Sequence, residues 1–174
     1  FPTICKIVGI ERPGWLKGKS LLPLVNGEVN SLHDEIFAEI NYHDAYEPVR
    51  CVRTRRYKYI RRFSEYKKAF TLNCDGSLSK KLWIDNGWKD QENKDEELYD
   101  LIFDPNEMNN IFESAQYKTV RIELRNRLEK WMKETEDPLV KDNIPKPEEG
   151  HNIFDDPSIN HKGYLYFEYK NLKY

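Results

Sequence analysis

Hydrophobic and polar residues alternate in several short segments of the chain, and this period of two predicts β-strands. The first such segment covers residues 34–41, where Ile36, Ala38 and Ile40 share one side of the predicted strand. A second covers residues 98–103 and ends at Asp104-Pro105, a dipeptide typical of turns. These segments predict two strands separated by a long stretch of chain.

Residues 46–63, YEPVRCVRTRRYKYIRRF, do not fit one strand, because the side of the apolar residues changes at Arg55-Arg56. A hairpin explains the change better, with strands over Val49–Thr54 and Tyr57–Phe63 joined by a tight turn. With the strand over residues 98–103 it predicts an antiparallel meander. Basic and acidic side chains would face each other across its strands.

Spacings of three and four residues between apolar positions predict a long amphipathic helix over residues 116–135, which ends before Asp137-Pro138. Its apolar stripe consists of Val120, Leu124, Leu128 and Trp131. Shorter helices are predicted over residues 3–9 and within residues 77–88. The predicted fold class is therefore α+β: an antiparallel sheet of about four strands packed against one long C-terminal helix.

Charge is concentrated in the predicted hairpin, where seven of the thirteen residues from Arg50 to Arg62 are Lys or Arg. An acidic stretch of similar size lies at residues 95–107, and the formal net charge of the 174 residues is −2. A dedicated nucleic-acid binder usually has a surplus of positive charge, so we expect no nucleic-acid partner. Two interpretations stay open: the hairpin holds a small anion, or its charges pair with the acidic stretch.

Motifs for catalysis or metal binding are missing from the sequence. The three cysteines form no CxxC pair and the four histidines form no HExxH or zinc-ribbon spacing, so neither a disulfide framework nor a metal site is expected. A nucleophile elbow, a phosphate loop and a dinucleotide fingerprint are also missing. No apolar run approaches the roughly 20 residues of a membrane span.

Four segments, in this order, resemble the C-terminal part of the type I sulfatases of the alkaline-phosphatase-like superfamily. They are FPTICKIVGIERPGWLKGKSLLPLVNG, FAEINYHDAYEPVRCVRTRRYKYIRRF, ELYDLIFDPNEMNNI and LEKWMKETEDP. The segments YHDAYEPVR and NCDGSLSKKLWIDNGW are most similar to the bacterial branch related to heparan N-sulfatase, the N-sulfoglucosamine sulfohydrolase. The resemblance implies the smaller C-terminal subdomain of the sulfatase fold.

The resemblance also implies where the chemistry lies. In this family a formylglycine attacks the sulfate ester and a calcium ion stabilises the sulfate oxygens, and both belong to the N-terminal α/β domain. The formylglycine forms from a Cys/Ser-x-Pro/Ala-x-Arg motif; Cys51 has Arg55 at the right spacing, but Arg53 stands where Pro or Ala belongs. We therefore expect no catalytic residue and no cofactor in these residues, and no sulfate ester hydrolysis by them alone.

The resemblance divides the chain into residues 1–31, a connector that would finish the large catalytic domain, residues 32–138, the C-terminal subdomain, and residues 139–174, a tail without an assigned role. The chain opens without Met, as expected for a piece of a longer protein. Its expected partner is its own N-terminal catalytic domain. Residues 1–25 are expected to expose an apolar face toward that domain.

The loop before the hairpin is the best candidate for substrate contact. Glu39, His43 and Arg50 are the candidate polar residues, and Tyr46 is a candidate platform for stacking a sugar ring. Each of the four also has an ordinary structural interpretation.

The predicted function is that of the C-terminal region of a sulfatase that acts, when joined to its catalytic half, on a sulfated saccharide. Two alternatives stay open. One is a phosphonate or phosphodiester hydrolase of the same superfamily, and the other is a stand-alone module that binds anions or carbohydrates.

Overall fold

A computed structural model describes residues 1–42 and 46–141, apart from the side chain of Leu72. The candidate residue His43 and most of the predicted tail, residues 142–174, lie outside the described part. The chain divides into two compact units, the first from Phe1 to Ile36 and the second from Phe37 onward. Each unit is described by itself below.

Two helices form the first unit: α1, Pro2–Val8, and α2, Leu22–Val25. Gly9 ends α1 with a φ of 72°, a left-handed conformation that glycine adopts without strain. The Thr3 hydroxyl accepts a hydrogen bond of 3.0 Å from the backbone N–H of Leu21 and so connects the two helices. The short helix predicted over residues 3–9 is confirmed.

Four strands form an antiparallel sheet in the order β1-β2-β3-β4: β1, Glu35–Tyr42; β2, Tyr46–Thr54; β3, Tyr57–Arg62; and β4, Glu96–Asp100. The predicted hairpin is confirmed, because β2 and β3 pair from Val49↔Arg62 to Arg53↔Lys58. The Thr54 hydroxyl accepts the N–H groups of Arg56 and Tyr57, which fixes the turn between the two strands.

The last strand is shorter than predicted, because its C-terminal three residues form a turn. The N–H of Asp104 bonds the carbonyl oxygen of Asp100 at 2.7 Å, and the Asp100 carboxylate accepts the N–H of Ile102 at 3.2 Å. Asp100 therefore supplies both backbone and side-chain acceptors that end β4 before the Asp-Pro signal at Asp104.

Two helices complete the second unit: α3, Leu78–Asp85, and α4, Lys118–Glu134. The predicted amphipathic helix is confirmed, since α4 packs its apolar stripe on one face of the sheet. The core consists of Val52, Tyr59, Leu98, Phe112, Leu124, Leu128 and Met132. At the edge strand, the rings of Phe37 and Trp131 stack at 5.0 Å, which joins β1 to α4. The predicted α+β fold class is thus confirmed.

Four of the basic residues of the hairpin are bonded to carboxylates of the same chain. The ion pairs are Arg56–Asp100 at 2.9 Å, Lys58–Glu107 at 2.6 Å, Arg61–Glu129 at 3.1 Å, Arg62–Glu47 at 3.1 Å and Arg62–Glu97 at 3.3 Å. Three of these acids belong to the stretch at residues 95–107. Of the two interpretations of the basic run, pairing within the chain is the one that the structure supports.

Within the described ranges, no helix combines the length and the apolar character needed to cross a membrane.

Candidate functional site

Arg50, a predicted substrate contact, lies on β2 with its side chain fully buried. Its Nε and Nη2 atoms donate to the two carboxylate oxygens of Asp137, at 2.5 and 3.1 Å. Its Nη1 atom donates to the carbonyl oxygens of Ile40 and Val49, each at 3.0 Å. Burial alone would raise the pKa of Asp137, but hydrogen bonds from Arg50 and from the N–H of Leu139 lower it.

This geometry gives Arg50 a structural role in the fold. A guanidinium that is fully buried and bonded to one carboxylate and two carbonyls cannot also bind a sulfate without breaking those bonds. Because it bonds the carbonyl oxygen of Ile40, Arg50 instead joins β1 and β2 to the segment that follows α4. The contact of Arg50 with the substrate stays a prediction.

The other predicted residues differ in their exposure. Glu39 on β1 is about half exposed, and its carboxylate lies 3.5 Å from Nε of Arg50. Tyr46 is only 9% exposed, which leaves little of its ring for a sugar. The ring of Tyr42 lies 4.9 Å from that of Tyr46 and is 37% exposed, so Tyr42 is the accessible member of the pair.

A cavity of about 380 Å³ lies beside the edge strand β1. Its described lining consists of Glu39, Ile40, Asn41, Tyr42 and Asn73. The first four follow one another along β1, and Asn73 comes from the segment between β3 and α3. One predicted site residue, Glu39, therefore lines the cavity, and the other four lining residues were not predicted as site residues.

The cavity is lined by one carboxylate, two amides and one phenol hydroxyl. The Oδ1 atom of Asn41 is buried and has no hydrogen-bond partner among the described residues. Asn73 is held in place, because its Nδ2 donates at 2.8 Å to Glu47, which pairs in turn with Arg62. Burial and the neighbouring Tyr46 raise the pKa of Tyr42, so its hydroxyl stays protonated at neutral pH.

Sequence reasoning missed Asn41, Tyr42 and Asn73. Asn41 and Tyr42 are adjacent to the candidate loop, and their position in a strand next to Glu39 was the available signal. Asn73 lies 26 positions from its partner Glu47, and no local pattern in the sequence indicates that it reaches β1.

The described residues do not fit the catalytic groups of a sulfatase. Among residues 1–42 and 46–141, no three His, Cys, Asp or Glu side chains are grouped to hold a metal ion. Cys51 lies within β2 opposite Ile60, and burial raises the pKa of its thiol. Its place in a paired strand and its motif mismatch at Arg53 both argue against a formylglycine at this position.

No protein-family model matches the chain. An ulvan-active sulfatase of Formosa agariphila is 33% identical over 162 residues, which are 84% of this chain and 30% of that protein. A Delta 4,5-hexuronate-2-O-sulfatase of Bacteroides thetaiotaomicron is 30% identical over 142 residues, 79% of this chain and 23% of that protein. The chain thus spans less than a third of the length of these relatives.

A solved structure of a 2-O GAG sulfatase matches 84% of the chain and 26% of its own length, with a TM-score of 0.58 and 25% identity. Three findings indicate the same family. They are the four sequence segments in their order, the four-stranded sheet with its helix, and the similarity to these relatives. The narrower relationship to the heparan N-sulfatase branch stays a prediction. The chain belongs to the sulfatase family and corresponds to the C-terminal region of its members.

Proposed function

We propose that this chain completes the substrate cleft of a sulfatase that hydrolyses sulfuric esters of a saccharide. The observation that carries the proposal is the similarity to sulfatases of polysaccharides over 84% of the chain, combined with a polar cavity at β1. In this proposal the formylglycine and the calcium ion belong to the N-terminal domain. The described residues bind and orient the saccharide and perform no bond cleavage.

Within that cleft we assign substrate contact to Glu39 and to His43, which lies outside the described residues. Tyr46 supports the ring of Tyr42, which is the more exposed of the two. Arg50 acts as a positioning residue, because it fixes the backbone of β1 at Ile40. A carboxylate such as Glu39 accepts two hydroxyl groups at once, which suits recognition of a sugar ring.

The test uses the complete protein with sulfated ulvan oligosaccharides as substrate and measures the inorganic sulfate that is released. Glu39→Ala is expected to raise KM roughly three- to tenfold, as the loss of hydrogen bonds to a charged acceptor would do. Glu113→Ala, which removes an exposed carboxylate from a different part of the chain, is the matched control. Equal KM values for the two variants would remove Glu39 from the cleft.

The proposed partner of the chain is its own N-terminal catalytic domain. Four apolar side chains are exposed on α1 and at its start, with a helical spacing of three and four residues: Phe1, Ile4, Ile7 and Val8. A stripe of this kind marks a surface that packs against another structure. The much greater length of the relatives supports a large domain as that structure.

A charge placed on this stripe tests the partner. In the complete protein, Ile7→Asp is expected to lower the melting temperature, because a carboxylate would be buried in an apolar contact. Lys6→Asp places the same group at the neighbouring exposed position and is expected to have a smaller effect. Equal melting temperatures for the two variants would contradict docking through the α1 stripe.

The relatives described above are sulfatases, which favours sulfate esters over the phosphonate or phosphodiester alternative.

A further inference from the structure

We propose that the loop after β4, together with the turn of the hairpin, docks the protein on the surface of an anionic lipid membrane. The docking patch consists of three apolar residues of the loop, Ile102, Phe103 and Met108, and of two arginines of the hairpin, Arg53 and Arg55. This inference does not depend on the proposed sulfatase activity, since no residue of the docking patch lines the cavity beside β1.

The apolar residues of the docking patch are strongly exposed. Ile102 is 63% exposed, and Phe103 and Met108 are each 78% exposed. Single exposed apolar side chains are ordinary, but three within the seven residues 102–108 form a patch of the kind that marks a contact with an apolar partner. Removing them from water is the favourable step of such a contact.

The loop holds these side chains in place through the carboxylate of Asp104. One of its oxygens accepts the N–H of Met108 at 3.0 Å, so Phe103 and Met108 both lie beside this residue. The N–H of Leu101 donates to the carbonyl oxygen of Arg56 at 2.6 Å, which fastens the loop to the hairpin turn. The docking patch is thus formed before any contact with a partner.

Charge beside the apolar side chains is positive on the side of the hairpin. Arg53 and Arg55 are exposed, and the guanidinium of Arg56 lies 5.5 Å from the centre of the Phe103 ring. The nearby acidic groups are bonded within the chain: Asp100 to Arg56, Glu107 to Lys58, and Asp104 to backbone N–H groups. The exposed arginines therefore complement a negatively charged surface.

A lipid surface accounts for this combination better than a protein partner. The three apolar side chains offer on the order of 400 Å² of exposed surface, about half of what each partner of a stable protein complex buries. A membrane needs no matching shape, because aliphatic and aromatic side chains enter the acyl boundary while arginines stay with the lipid phosphates. Arginine suits that role, because its planar fork bonds phosphate oxygens in pairs.

Docking at this position leaves the candidate site accessible. The docking patch adjoins the hairpin turn at the end of β2. Tyr46 and the neighbouring ring of Tyr42 lie at the start of β2, roughly 25 Å away along the strand. The docking patch and the cavity beside β1 can therefore be occupied at the same time.

Co-sedimentation of the complete protein with lipid vesicles tests the proposal. We expect vesicles of phosphatidylcholine and phosphatidylglycerol in equal amounts to bind the protein, and vesicles of phosphatidylcholine alone to bind it roughly fivefold more weakly or less. Phe103→Ser should lower binding to the anionic vesicles about tenfold, because a large inserted side chain is lost. Trp83→Ser, which removes an exposed aromatic side chain from α3, is the matched control and should bind like the unmodified protein.

A charge variant and the oligomeric state complete the test. Arg53→Gln should weaken binding to the anionic vesicles roughly three- to fivefold, whereas Lys89→Gln, at an exposed position between α3 and β4, should leave it unchanged. Equal binding by Phe103→Ser and Trp83→Ser would overturn the proposal, as would equal binding to the two kinds of vesicle. A dimer that dissociates in the Phe103→Ser variant during sedimentation velocity would also overturn it, since the docking patch would then join two copies of the chain.

Discussion

The two units of the chain differ in how far their side chains are buried and paired. In the second unit, apolar residues meet between the sheet and α4, and the basic residues of the hairpin are bonded to carboxylates. In the first unit, Ile4, Ile7 and Trp15 are exposed, and Cys5 is the only buried residue of α1. The second unit thus buries an apolar core and pairs many of its charges, whereas α1 of the first unit exposes most of its apolar side chains.

The comparison shows which groups the described residues leave accessible for function. Carboxylates of the second unit pair with four basic residues of the hairpin that first suggested anion binding. What remains for function is the apolar surface of the first unit, the docking patch and the polar groups of the cavity beside β1.

The largest effect is expected from breaking the buried pair of Arg50 and Asp137. Arg50→Ala should lower the free energy of unfolding by about 3–5 kcal/mol, because the carboxylate of Asp137 would stay buried without its cation. Urea denaturation of the chain measures the loss. The double variant Arg50→Leu/Asp137→Leu removes both charges and should recover most of it; a double variant as unstable as Arg50→Ala would show that the pair itself is needed.

A smaller effect is expected when a buried residue of the second unit is compared with an exposed residue of the first. Leu128→Ala should cost about 2–5 kcal/mol, because Leu128 is fully buried between α4 and the sheet. Ile7→Ala removes a similar side chain from an exposed position of α1 and should change the free energy of unfolding by less than about 0.5 kcal/mol. Comparable losses for the two variants in thermal denaturation of the isolated chain would contradict the contrast between the units.

The smallest effect concerns pH. The hydrogen bond from Arg56 holds the pKa of Asp100 below its usual value of 3.8. A carboxyl group with a lowered folded-state pKa stabilises the fold above its unfolded pKa, and that contribution is lost as the pH falls through the folded value. Asp100→Asn should therefore flatten the decline of the melting temperature below about pH 4, while Asp90→Asn should leave it unchanged. An identical decline in both variants would exclude Asp100 as a contributor.

Local patterns in the sequence were sufficient to predict the main elements. The change of apolar parity at Arg55-Arg56 correctly indicated the hairpin, and the spacing around Leu124 and Leu128 indicated α4. These signals are local, since each depends on residues a few positions apart. The predicted end of β4 was wrong. The strand ends at Asp100, because the carbonyl and carboxylate oxygens of that residue accept the hydrogen bonds of the turn, and no proline is needed there.

The candidate site was less predictable, because its contacts join distant parts of the chain. Asp137 lies 87 positions from Arg50, and no local pattern in the sequence indicates that this carboxylate bonds the buried guanidinium. Asn73 reaches the cavity from a long insertion between β3 and β4. Neither contact produces a periodic pattern of hydrophobic and polar residues that could predict it. Glu39 was predictable, because it lies on a strand next to the loop that resembles the family.

One measurement tests the central claim most directly: inorganic sulfate released from sulfated ulvan oligosaccharides, compared between the complete protein and the 174-residue chain alone. We expect the complete protein to release sulfate with turnover, and the 174-residue chain to release none at any concentration tested. Sulfate release by the chain alone would contradict the claim, as would a complete protein that cleaves phosphonate esters or only binds the saccharide.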